Sequence, residues 1–207
     1  MNARSPWRTL LYKKLETVAL TGEVIDLGGS RKSAYIKMFK GDFNLTVADM
    51  VTDSPEDIVV DLERPLPIES STYDHVLCIN LLEHIYNYQA VVNESYRILK
   101  ADGQILLAVP FLIQVHPSPH DHWRFTKETL EKIFTEAGFA DVSVETIGTG
   151  VFGAIAQMRF NMLHFAILRK INTTTSRFLD GLASRLVKKN TYSKEYYPLG
   201  YIVTAKK

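Results

Sequence analysis

Two short runs, "VLCIN" at residues 76–80 and "ILLAV" at residues 105–109, are apolar at almost every successive position. A strand with one wet face alternates apolar and polar residues, so a strand apolar throughout requires cover on both faces. That requirement selects helices packed above and below a parallel sheet. The runs "EVIDL", "FNLTVADM" and "DIVV" precede them and read as further strands. Between the strands lie amphipathic stretches. In "YNYQAVVNESYRILKADG", Val91, Val92, Ser95, Ile98 and Leu99 recur at helical spacing, and the helix is expected to stop at Gly103. In "FTKETLEKIFTEAGF", Thr126 is the expected N-cap, Glu128 lies in the first turn, and Gly138 closes a helix whose buried face is Leu130, Ile133, Phe134 and Ala137. The pattern is that of a doubly wound α/β sheet.

The 207 residues are the usual size of one domain. Lys and Arg total 24 against 23 for Asp and Glu, a net charge of +1, so no global field favours nucleic acid. The single cysteine, Cys78, sits in an apolar strand and excludes an intramolecular disulfide, which points to a reducing, cytoplasmic setting. Neither a signal-peptide core nor a spanning run of about 18 apolar residues is present. Residues 1–21 read as an N-terminal helical extension. Residues 151–189, with "FGAIAQMRFNMLHFAILRKI" and "RFLDGLASRLVKK", read as a helical insertion before the last strand, "YIVTAKK". Three roles are open to it beyond simple packing: a cover for an acceptor site, a homodimer face, or a peripheral membrane contact with Arg159, Arg169 and Lys170 as its basic rim.

Open α/β sheets bind ligands at the carboxyl ends of their strands. At that edge "EVIDLGGSRKS" places Gly28 and Gly29, whose bare backbone lets amides approach a ligand, and Asp26, which can accept from an ammonium group or water. An ordinary turn would look the same, and the dinucleotide pattern G-x-G-x-x-G is absent. Asp49 ends the next strand, about twenty residues on, where a carboxylate can accept both hydroxyls of a ribose. Asp61 follows a third strand and can receive an exocyclic amine, with Leu62 against the ring. Each aspartate alone reads equally well as a turn residue or a cap.

Taken together, "VIDLGGS", "VADM", "VVDLERPLPIESSTYDHVLCINLLEHI", "ESYRILKADGQILLAVPF" and "HPSPHDHWRFTKETLEKIFTEAGF" resemble the class I S-adenosylmethionine-dependent methyltransferases, and most of all their small type 11 members. The resemblance runs from about residue 22 to residue 147, with a weaker match at "YPLGYIVTAKK". Its most specific parts are "LLEHI" and "RILKADG". It implies a mostly parallel, seven-stranded Rossmann-like sheet and the cofactor S-adenosylmethionine. It further implies that Asp26, Gly28, Gly29 and Ser30 cradle the methionine part, Asp49 holds the ribose and Met50 flanks the adenine. Asp61 and Leu62 would contact the adenine edge, and the backbone at Asn80 and Leu81 would close over the amino-acid end. The loop departs from the family's D-x-G-x-G-x-G, because Ser30 and Lys32 occupy its second and third glycine positions.

A sulfonium methyl is already electrophilic, so transfer needs an aligned nucleophile and exclusion of water. A hydroxyl acceptor also needs a base. His84 of "LLEHI" is the first candidate, against a reading in which Glu83 and His84 only cap and orient the loop. In "VHPSPHDHWRFT", His120 with Asp121 is a second candidate base, while His116, Asp121 and Arg124 are candidate acceptor contacts. The alternative is that Asp121 and Arg124 pair to pin the loop and Trp123 packs inward. His116 and His120 on a proline-containing loop lack the helical geometry of a zincin, and no metal is expected. The reading is a methyltransferase acting on a small or carrier-linked acceptor, with a sugar or glycolipid hydroxyl suggested by analogy alone. Its rivals are a non-catalytic protein of the same fold that binds a partner through residues 151–189, and a nicotinamide-dependent oxidoreductase, which the missing phosphate fingerprint disfavours.

Overall fold

The apolar runs are the central strands of one seven-stranded sheet. The computed structural model describes residues 4–186 and 190–207. Residues 1–3 of the expected extension and 187–189 of the expected insertion lie outside the described residues. The elements in chain order are α1 (Pro6–Leu15), β1 (Gly22–Leu27), β2 (Phe43–Asp49), β3 (Ile58–Val59), β4 (Tyr73–Ile79), α2 (Tyr88–Ile98), β5 (Leu99–Pro110), α3 (Lys127–Glu136), β6 (Ala140–Ile147), α4 (Val151–Arg159), α5 (Ala166–Leu186) and β7 (Gly200–Lys206). The sheet order is β3-β2-β1-β4-β5-β7-β6. β1 to β5 pair in parallel, and β7 runs antiparallel between β5 and β6.

Two cores explain the unbroken apolar runs. Val76 and Cys78 of β4, with Ile105 and Leu107 of β5, face a core shared with Val91 and Val92 of α2 and Leu130 and Phe134 of α3. Leu77 and Ile79, with Leu106 and Ala108, face the opposite core, which contains Trp7, Leu11 and Leu15 of α1 and Ala154 of α4. Neighbouring residues of one strand therefore serve different layers, as the pleat demands. Cys78 is fully buried, and burial holds its thiol well above the usual range.

Three local features differ from the sequence reading. A doubly wound sheet calls for a helix after β1, but the chain makes only a short 3-10 turn at Ile36–Met38 before β2. The helix expected to run to Gly103 ends at Ile98, because the buried Leu99 turns extended and pairs with Tyr73. The left-handed residue in that stretch is Asp102, with φ +63°. α3 follows expectation, with the Thr126 hydroxyl accepting from Thr129 N–H and Gly138 at φ +95° beyond its end.

The helices before β7 are locked to each other by one carboxylate. Asp180 of α5 is buried and accepts from the Phe152 and Gly153 N–H groups and from the Thr149 hydroxyl, capping the first turn of α4 from outside. This cap fixes α4 and α5 as a pair beside the carboxyl edge of the sheet. α1 is tied to the same pair, since Trp7 N–H donates to the buried Gln157 side chain of α4 at 3.0 Å. No helix among the described residues is long and apolar enough to cross a membrane.

Candidate functional site

A cavity of about 900 Å³ opens at the carboxyl edge of the parallel strands, a volume in the range of cofactor and ligand sites. The loop after β1 forms one wall. Gly28 stands at φ +68° with its N–H bonded to Ala48 O, and a Cβ there would lie 2.4 Å from the Leu81 side chain. Only glycine suits that position, and its bare backbone faces the cavity. Gly29 is more crowded: a Cβ would lie 1.8 Å from Asp26 Oδ2 and 2.7 Å from the Tyr35 hydroxyl.

Asp26 lies beneath this loop, fully buried. Tyr35 donates to its Oδ2 at 2.6 Å, while Oδ1 has no partner. Burial pushes its carboxyl from 3.8 up to about 7; the Tyr35 hydrogen bond opposes this in part, and nearby Asp49 adds to it. In the unfolded chain the group ionises near 3.8, so between these values the native state holds a proton that the unfolded state has lost. Stability therefore falls as pH rises through that window, by about 1.4 kcal/mol per pH unit and on the order of 4 kcal/mol in all. Asp26→Asn is expected to be isoenergetic with wild type near pH 4 and clearly more stable at pH 8 in urea melts. A stability difference independent of pH would refute this account.

Asp49 and Asp61 reach the same cavity from the ends of β2 and β3. Asp49 Oδ1 accepts from Met50 N–H at 2.6 Å, which fixes the carboxylate. Burial raises its pKa. Asp61 makes a turn of its own, accepting from Glu63 N–H at 3.0 Å and from Arg64 Nε at 3.1 Å. Met50 is largely exposed, Leu62 is buried, and both line the cavity. After β4, Asn80 takes a left-handed turn at φ +54°, which asparagine tolerates, and brings Leu81 and His84 to the opposite wall. Ser30 departs from its expected place. Its hydroxyl donates to Asp53 at 2.5 Å, Lys32 joins the same carboxylate, and neither is part of the cavity wall.

The loop after β5 folds back over residues 83–86. His122 and Trp123 N–H groups both donate to the Glu83 carbonyl, and Trp123 Nε1 donates to Ile85 O at 3.1 Å. His116 and His120 line the cavity; Asp121 and Arg124 do not. Those two pair with each other through both guanidinium nitrogens, which holds the Asp121 carboxyl well below the usual range. An Arg124 committed to this pair is not free to grip an acceptor. Asp121 likewise accepts from His116 N–H at 2.8 Å rather than orienting His120, whose ring instead lies beside His122. His84 Nδ1 bonds to the His120 carbonyl. Glu83 is 0 % exposed, and burial pushes its carboxyl up to about 8.

The rest of the wall comes from outside the motifs. α1 supplies Trp7 and Arg8, and Trp7 Nε1 donates to Asn80 Oδ1 at 2.9 Å. The α4–α5 pair supplies Gln157, Phe160, Asn161 and Arg169. In the sequence, Ser5 followed by Pro6 announces the start of α1, but nothing there says that its first turn meets Asn80.

Part of this chain matches a known family. Residues 34–107 match the family described as Methyltransferase domain, a stretch that contains Asp49, Asp61, Asn80 and His84 but begins after the glycine loop. An uncharacterized protein of Methanocaldococcus jannaschii is 50 % identical over 44 residues, 21 % of this chain and 19 % of that protein; the match thus spans about a fifth of that relative's length. An S-adenosylmethionine-dependent methyltransferase from Archaeoglobus fulgidus has a TM-score of 0.58 at 18 % identity, covering 98 % of this chain and 92 % of its own. A Haemonchus contortus phosphoethanolamine N-methyltransferase, bound to phosphomonomethylethanolamine and S-adenosylhomocysteine, also has a TM-score of 0.58, at 16 % identity, over all of this chain and 54 % of its own. At such identities the two structures speak for the fold alone.

Proposed function

We propose that this chain is a class I S-adenosylmethionine-dependent methyltransferase, a reading that its sheet order and the match of residues 34–107 support, and that it methylates an oxygen of a small or carrier-linked acceptor. The single observation that carries the reading is the convergence of Gly28, Asp49, Asp61, Asn80 and His84 on one cavity from four separate loops. The residues present fit the cofactor. Gly28 offers backbone where any Cβ would collide, Asp49 has an oxygen free for the ribose, and the unpartnered buried oxygen of Asp26 lies under the loop expected to meet the amino-acid end. S-adenosylmethionine supplies a methyl group already activated on sulfur. The protein's part is to align an acceptor and keep water out.

His84, His116 and His120 are the imidazoles of this wall, and an imidazole is a general base suited to a hydroxyl. Their carbonyl and ring contacts hold His84 at the cavity edge, which supports its role as the base for a hydroxyl. The acceptor enters beside α4 and α5. On α5, Ile167, Ile171, Phe178, Leu182 and Leu186 form one exposed apolar stripe, with Lys170, Arg177 and Arg185 alongside, while Arg169 turns to Leu163 O and the cavity. An apolar stripe rimmed by basic residues next to the cavity mouth supports an acceptor carried on a lipid and presented at an anionic membrane surface. A sugar hydroxyl of a glycolipid is the acceptor class that suits both features.

Calorimetry with S-adenosylmethionine and S-adenosylhomocysteine tests the core of this reading. One site per chain for each is the expected result; a protein that binds neither is not the proposed enzyme, whereas binding of NADH in their place would make it an oxidoreductase. Co-sedimentation with phosphatidylglycerol vesicles tests the carrier-linked part, which absence of binding would overturn.

A further inference from the structure

The methyl-transfer reading leaves Glu83 unexplained. Its side chain is 0 % exposed and neither carboxylate oxygen has a hydrogen-bond partner. Buried polar groups in folded proteins are almost always paired, and a carboxyl left without partners is costly. Two imidazoles face it. His84 Nε2 lies 3.7 Å and His116 Nε2 3.9 Å from the same oxygen, Oε1. Both gaps are too long for hydrogen bonds. The rings meet edge to face with centroids 5.0 Å apart.

The opposite nitrogen of each ring is already engaged. His84 Nδ1 meets the His120 carbonyl; His116 Nδ1 meets the Gln114 carbonyl at 3.2 Å and the Asp121 carboxylate at 3.4 Å. These partners only accept, so in the neutral rings Nδ1 carries the hydrogen and Nε2 keeps a lone pair. The two Nε2 atoms and an unpartnered Glu83 oxygen thus lie within 4.8 Å of one another.

We propose that Glu83, His84 and His116 bind a divalent transition-metal ion whose open positions face the cavity. Ligands each about 2.1 Å from one ion stand about 3.4 Å apart in a tetrahedron, so the gaps of 3.7 Å and 3.9 Å would close by a few tenths of an ångström around an ion. Two imidazoles and one carboxylate suit iron, cobalt or zinc better than magnesium or calcium. Nδ1 hydrogen bonds to carbonyls and a carboxylate are the outer contacts that orient metal-binding histidines. His84 and His116 belong to the cavity wall, so a fourth ligand comes from the cavity side: water, or the oxygen of an acceptor. This site differs from the one weighed in the sequence, because His116 joins two residues of another loop instead of His120.

The ion's role in catalysis rests on the proposed methyl transfer. An acceptor hydroxyl bound to it loses its proton more readily, and His84 then serves as a ligand of the ion instead of as the base. The O–H bond breaks and the proton leaves to solvent. The oxygen forms the new C–O bond while the C–S bond breaks, and the sulfonium becomes a neutral thioether.

The test is a titration of Co²⁺ into untagged, chelator-treated protein, without cofactor or acceptor, followed by visible ligand-field absorption. One equivalent per chain is expected, displaced by Zn²⁺. Glu83→Gln and His116→Gln are each expected to weaken Co²⁺ binding at least tenfold, while His122→Gln on the same histidine-rich loop leaves it unchanged. Melting curves of the metal-free variants verify that they fold. No stoichiometric band in the wild type, wild-type affinity in both ligand variants, or an equal loss in His122→Gln would each overturn the site. Because this readout involves no methyl donor, Co²⁺ binding without S-adenosylhomocysteine binding sinks only the transferase reading, and the reverse sinks only the metal.

Discussion

Trp7→Ala is expected to destabilise the protein by about 3–5 kcal/mol, the usual cost of truncating a buried tryptophan, and to lower its melting temperature by about 10 °C. Trp7 is 4 % exposed and packs where a Cβ on Gly200 would lie 2.6 Å from its ring. It also joins three elements. Its backbone N–H reaches Gln157 of α4, its indole N–H reaches Asn80 after β4, and its ring fills the core between α1 and the sheet. Truncation removes the packing and frees the Asn80 side chain at the cavity wall. Trp7→Phe separates the two effects, since it keeps most of the packing and gives up only the hydrogen bond, worth about 1 kcal/mol. Thermal melts of both variants measure this; an alanine variant melting within a degree or two of wild type would show that α1 is an appendage rather than part of the site.

Asp49→Ala is expected to weaken S-adenosylhomocysteine binding by about two orders of magnitude. Hydrogen bonds to a carboxylate are worth about 1.5–3 kcal/mol each, and 1.4 kcal/mol is tenfold in affinity. The Met50 N–H holds one oxygen of Asp49, so the carboxylate is oriented before any ligand arrives and little of its contribution is lost to ordering. Asp49 belongs to neither core, and the folding stability of the alanine variant is expected to stay near that of wild type. His84→Ala provides the contrast: turnover slows while affinity for S-adenosylhomocysteine changes little. Equal losses of affinity in both variants, read by calorimetry, would contradict the assignment of one residue to the ribose and the other to the acceptor.

Asp49, Asp61 and Asn80 could be placed from the sequence because each ends a run of apolar residues, and strand ends in an open parallel sheet share one edge. Thr126 and Gly138 could be placed because capping and left-handed termination involve neighbours only a few residues away. The stop at Gly103 failed for the opposite reason. Leu99 leaves the helix to pair with Tyr73, and that competition between ladder and helix is invisible in a local window. The glycine loop was legible in part: Gly28 needs its φ of +68° and faces the cavity, whereas Ser30 turns to an aspartate 23 residues away.

The sequence settled the layered α/β architecture, the two-sided burial of β4 and β5, and the edge at which Asp49, Asp61 and His84 meet, because apolar periodicity and turn chemistry are local and repeat along the chain. It was silent on contacts between residues far apart in the chain. Trp7 with Asn80, Asp180 over the first turn of α4, and the convergence of His84 and His116 on Glu83 all depend on how finished elements dock. A carboxylate in a one-dimensional string has no burial, and an imidazole has no partner until packing fixes which of its nitrogens is already taken.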